Sequence, residues 1–124
     1  MRRVPPTSEP SPRFPDSDTD KELLQKYISQ AQNLLNQFNR GKITTSALIK
    51  KLHALVDNNY HLSVSVKDNI PRRGGEIANA MDANTNYLRI AMRELEDDPP
   101  QVYEAKSSIS FYIDGSLETL EQFP

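Results

Sequence analysis

The chain has 124 residues, a net charge of −2, 36% hydrophobic and 26% charged residues, and no cysteine. That length fits one domain with a modest core. The apolar fraction lies below the ~45–50% usual for soluble domains, a range that also counts glycine, so part of the chain is expected to stay unpacked. Lack of cysteine excludes disulfides, thiolate nucleophiles and cysteine-ligated zinc.

Residues 1–17 hold five prolines, Pro5, Pro6, Pro10, Pro12 and Pro15, and few apolar groups. Such a stretch cannot offset the ordering entropy of a core and reads as a disordered, Pro-rich leader. A folded domain is expected over residues 18–124. Its first helix starts at a capping box, Thr19-Asp20-Lys21-Glu22. Leu24, Ile28, Ala31, Leu35 and Phe38 follow at steps of four and three, which makes one apolar stripe. Gly41 can take the left-handed conformation that closes a helix.

A second helix is predicted from Thr44 or Thr45, with Ile43 and Leu48 placed as a hydrophobic staple. Leu48, Ile49, Leu52, Leu55 and Val56 form its inner face, and Asn58-Asn59 is expected to end it. The short connection at residues 41–44 makes the first two helices an antiparallel hairpin. His61-Leu62-Ser63-Val64-Ser65-Val66 alternates with period two and reads as a strand or an extended connector. Asp68 to Gly75 reads as a loop because it holds Pro71 and Gly74-Gly75.

A third helix is expected from about Glu76 to Glu96, with Ile77, Met81, Asn84, Leu88, Ala91 and Leu95 on its stripe. Asn84 either fixes register inside a bundle or faces solvent. Pro99-Pro100 stops this helix. The last segment reads as helix, with Val102, Ala105, Ile109, Ile113, Leu117 and Leu120 inward. The alternative is a strand over residues 108–113 with a turn at Asp114-Gly115. The fold class is mainly α: a three- or four-helix antiparallel bundle.

Charge is uneven along the chain. Residues 41–73 carry six basic against two acidic side chains, and residues 74–124 carry three basic against ten acidic ones. Lys50, Lys51, Arg72 and Arg73 are the candidate contacts for an anion or nucleic acid. No recognition-helix motif accompanies them, so the expected partner is another protein and not nucleic acid. His53 and His61 stand eight apart with no metal-binding spacing, so neither a metal nor a cofactor is expected. The acidic run Glu94, Glu96, Asp97 and Asp98 ends a helix before two prolines, where side chains are solvated and unsuited to acid–base chemistry. No nucleophile elbow is present, and no enzyme is expected. No apolar run reaches the ~18–20 residues that cross a bilayer. Met1-Arg2-Arg3 leads into prolines without an apolar stretch, so a cytoplasmic protein is expected.

Residues 34–57 place Phe38, Gly41, Ile43 and Thr44 between two amphipathic helices. In this they resemble the opening of the bacterial colicin-type immunity family. The resemblance implies a four-helix bundle that blocks a basic nuclease toxin through acidic residues. On that analogy Glu94, Glu96, Asp97, Asp98 and Glu104 are the toxin-facing side chains. The proline-rich leader, the basic middle and residues 61–66 depart from that family. The expected function is therefore a non-catalytic protein-binding module, an immunity or inhibitor protein in its sharpest form. The alternatives are a structural or assembly subunit that forms helical oligomers, and a nucleic-acid accessory protein that uses the basic 42–73 region. The oligomeric state is not fixed by the sequence.

Overall fold

The computed structural model describes residues 15–124, with side chains from Thr19 onward. It holds four helices: α1 Pro15–Asn39, α2 Thr45–Asn69, α3 Gly74–Glu96 and α4 Val102–Leu120. Among the described residues there is no strand. Helices consecutive in the chain pack on one another, and α1 also packs on α4, so the four close into a ring. With short connections, that ring is an antiparallel up-down-up-down bundle. The α1–α2 turn and the α3–α4 connection share one pole, called upper below. The α2–α3 turn, the start of α1 and the end of α4 share the lower pole.

Local chemistry sets the upper turn. Gly41 takes φ 68°. The Lys42 N–H donates to the Gln37 carbonyl at 2.8 Å, and the Gly41 N–H to that of Phe38 at 3.1 Å. This is the Schellman pattern, which satisfies carbonyls left open at a helix end. Thr44 then caps α2, its Oγ1 accepting from the Ala47 N–H at 3.1 Å. Ile43 packs against the core that contains Leu48.

The lower turn is tighter. Arg72 adopts φ 69°, the left-handed region that non-glycine residues seldom occupy. A Cβ at Gly74 would stand 2.7 Å from the Val66 carbonyl oxygen and 2.9 Å from that of Lys67. Only glycine lets α3 leave so close to the backbone of α2.

The core is one cluster to which every helix contributes, including Leu24 and Ile28 of α1, Leu48 and Leu52 of α2, Ile77 and Leu88 of α3, and Ile109 and Tyr112 of α4. Polar groups inside it are satisfied. Asn59 is buried, its Nδ2 donating to the Leu55 carbonyl at 2.8 Å while its Oδ1 accepts from Tyr112 Oη at 3.0 Å. Thr85 Oγ1 donates back to the Met81 carbonyl at 2.8 Å. Buried Asp20 of α1 accepts from Ser65 Oγ at 2.9 Å and Asn69 Nδ2 at 3.2 Å, which joins α1 to the lower half of α2.

Several sequence expectations are corrected here. Residues 61–66 are neither strand nor connector but the continuation of α2. Leu62, Ser63 and Val66 turn inward and Val64 outward, a helical division that packing against α3 imposes over β-branched propensity. Asn58-Asn59 does not end α2, because both polar ends of Asn59 find partners inside the bundle. The loop is shorter than residues 68–75, since α2 runs to Asn69 and α3 starts at Gly74.

Thr19 does not open α1, which already begins at Pro15, a residue suited to a first helical turn. Residues 15–17 of the expected leader are thus helical, and the remainder of the leader lies outside the described residues. The final segment is helical, with Ala105, Ile109 and Ile113 inward as expected and Ser108, Tyr112, Ser116 and Thr119 joining them, while Val102 and Leu117 face outward. Asn84 is half-buried. It donates to Thr119 Oγ1 at 2.9 Å and crosses so near Gly115 that a Cβ there would meet its Oδ1 at 2.2 Å. Glycine thus has a packing role at that helical position.

Candidate functional site

Helix α3 ends in acid. Glu94 and Glu96 occupy its last turn, Asp97 is its C-cap residue, and Asp98 follows. A helix C-terminus carries partial negative charge, so each carboxylate there opposes the macrodipole by about 0.3–1 kcal/mol when exposed. Only Arg93 is basic in that turn. Helix stability therefore does not account for the cluster.

The connection then folds back over itself. The Gln101 N–H donates to the Glu94 carbonyl at 2.8 Å, and Gln101 Nε2 donates to Asp97 Oδ2. Glu104 sits in the first turn of α4, where the dipole favours an acid. Glu96, Asp97, Asp98 and Glu104 are exposed together at the upper pole. Glu94 stands apart from them, half-buried in the α3–α4 seam and accepting from Ser108 Oγ at 2.6 Å. Among the described residues none of the five forms an ion pair; the ion pair there joins Arg73 to Glu76 at 3.6 Å. Unpaired carboxylates at one corner produce a local negative field able to steer a cationic partner.

The basic candidates do not assemble in the same way. Lys50 and Lys51 are exposed near the start of α2, and Lys51 borders a groove of about 310 Å³ beside Gln30, Asn33 and Gln37 of α1. Arg72 and Arg73 stand at the lower pole around a cleft of about 500 Å³ with Ile70 and Phe123. Most of α2 separates the two pairs, about 30 Å at 1.5 Å per residue. His53 and His61 are both exposed on α2. Among the described residues no three His, Asp or Glu side chains converge as metal ligands, and no helix is long and apolar enough to cross a membrane.

Sequence reasoning missed the apolar part of this corner. Val102 is 37% and Tyr103 is 77% exposed, directly beside Glu104. The sequence pattern places Val102 on the inner stripe of α4 and gives Tyr103 no role. The missing signal was the competing four-three spacing through Ala105, Ile109, Tyr112, Ser116 and Thr119, which polar residues disguise. No family model, curated protein or solved structure matches this chain.

Proposed function

We propose that the chain is a non-catalytic protein-binding module whose upper pole docks on a basic protein surface. One observation carries this reading. Glu96, Asp97, Asp98 and Glu104 are exposed at one pole with no ion-pair partner among the described residues, three of them at the helix end least suited to them, and the exposed Tyr103 precedes Glu104. Tyrosine is enriched among binding hot spots, and interfaces carry a polar rim. The sharper form is a stoichiometric inhibitor of a basic nuclease toxin, as the resemblance of residues 34–57 implies. The separation of Lys50 and Lys51 from Arg72 and Arg73 argues against a continuous phosphate track.

The test is co-purification from native cells of the chain and of a variant with Glu96, Asp97, Asp98 and Glu104 all changed to Lys. The wild-type chain should retain a basic protein at low salt and lose it steeply as salt rises. The variant should keep its helical circular-dichroism spectrum and retain none. An unchanged set of partners in the variant would refute the reading.

A further inference from the structure

Large apolar side chains are not exposed evenly over this bundle. Of the seven that stand clear of the core among the described residues, five lie on α3 and α4: Tyr87, Val102, Tyr103, Phe111 and Leu117. The other two, Tyr60 and Val64, share α2. Single exposed apolar residues are ordinary, whereas several on one helix face mark a contact surface.

The spacing on α4 is regular. Tyr103, Ser110 and Leu117 recur every seven residues, so they lie nearly in line along the outward face. Phe111 flanks that line on the α3 side, its ring 5.4 Å from that of Tyr87. Ser107 and Ser110 are small and half-buried, and they leave a low floor between Tyr103 and Phe111. Knobs and holes of this kind accept the side chains of another helix. From Tyr103 to Leu117 the face is about 21 Å long, the span of a partner helix of about four turns.

Charge selects the partner. Glu104, Asp114 and Glu118 are exposed on the same side of α4, and Asp97 and Asp98 sit at its upper end. The single cation of α4, Lys106, is drawn towards α1, its Nζ 5.5 Å from the ring centre of Phe38. Among the described residues no cation stacks on the exposed Tyr87–Phe111 pair, which is suited to receive one. A second copy of the chain is a poor occupant, because a two-fold pairing of this face would bring its Glu104, Asp114 and Glu118 against the same carboxylates.

We propose that the outward face of α4, with Tyr87 at its edge, receives a cationic amphipathic helix of a partner protein. The proposal rests on the protein-binding reading above and adds the mode of binding. Leucine-like side chains enter between Tyr103, Phe111 and Leu117, and flanking Lys or Arg groups meet Glu104, Asp114 and Glu118.

The probe is an 18-residue helical peptide of leucine and lysine with all leucines on one face. The control is a scrambled peptide of the same composition. Amide shifts of the labelled protein should move along residues 103–118 and at Tyr87 with the first peptide only. A Tyr103→Ser, Phe111→Ser variant with unchanged melting temperature should bind it at least tenfold more weakly. A Glu104→Gln, Asp114→Asn, Glu118→Gln variant should bind more weakly and with a shallower salt dependence. The proposal is overturned if the scrambled peptide binds equally, if the shifts map to Tyr60 and Val64, or if the serine variant binds unchanged. A homodimer burying this face in sedimentation would also overturn it.

The natural partner separates the two readings when Tyr103 and Glu104, which both surfaces share, are left unchanged. A Glu96→Lys, Asp97→Lys, Asp98→Lys variant then stands for the upper pole, and a Phe111→Ser, Leu117→Ser variant for the α4 face. If that lysine variant loses the partner and that serine variant keeps it, the α4 face is excluded and the acidic pole stands. If that serine variant loses it and that lysine variant keeps it, the acidic pole is excluded and the α4 face stands.

Discussion

Tyr112 of α4 donates a 3.0 Å hydrogen bond to Asn59 Oδ1 of α2, across the diagonal of the bundle. These two helices share no close backbone approach, so the bond spans the core itself. Both side chains are buried. Tyr112→Phe keeps the ring and leaves Asn59 Oδ1 without its donor, which should cost about 1–3 kcal/mol in urea unfolding. In a double-mutant cycle, Tyr112→Phe and Asn59→Ala should couple. Additive effects would mean that the bond contributes nothing to the fold.

Burial pushes the Tyr112 hydroxyl up to about 12, from an ordinary value of 10.0. The unfolded chain therefore releases this proton first. Stability from this group is complete below pH 10, falls as pH rises from about 10 to 12, and is gone above that range. The loss should amount to about 2–3 kcal/mol at the folded value quoted. Alkaline denaturation curves of the wild type and of Tyr112→Phe should converge across that window. Parallel curves would contradict the assignment.

Gly74 and Gly75 are adjacent yet should respond oppositely to alanine. A Cβ on Gly74 would strike backbone carbonyls of α2 that cannot move aside, whereas one on Gly75 meets nothing within 4 Å. Gly74→Ala should lower stability by roughly 1–3 kcal/mol, the usual range for overpacking. Gly75→Ala should be neutral or stabilising by up to about 1 kcal/mol, because it removes glycine entropy from a helix. Thermal melts of the two variants decide the point.

Asp20 is the polar link between α1 and the lower half of α2. Asp20→Ala should leave the Ser65 hydroxyl without its acceptor, while Asn69 Nδ2 keeps its 2.9 Å bond to Ser65 Oγ, and cost about 1–3 kcal/mol. Hydrogen exchange should then quicken in α1 before it does in α2, α3 and α4. Uniform acceleration would show that α1 is not a separately opening unit.

What the sequence makes legible here is what neighbours decide. Gly41 and Thr44 act through partners within four residues, so their spacing announces the turn. The stripes of α1 and α3 are also plain, because apolar residues fill nearly every inward position. Residues 61–66 mislead because Leu62, Val64 and Val66 alternate with His61, Ser63 and Ser65, a run short enough to satisfy period two as well as a helix, and only packing against α3 settles the choice. Asp20 is decided by partners 45 and 49 positions away, and Asn59 and Tyr112 by each other across 53, and nothing local signals them. The acidic cluster is visible as a run of carboxylates. The outward turn of Tyr103 and Phe111 depends on how α4 rotates against the other helices, which its own residues leave open.

The alternating course of the helices has a practical consequence for measurement. Helix α1 starts and α4 finishes at the pole opposite Asp97 and Asp98, some 35 Å away along α3 at 1.5 Å per residue. A biotin or fluorophore attached past Phe123 would hang from the far side. Sensor-chip kinetics on the captured chain would then present the carboxylate corner to the analyte, free of linker and matrix.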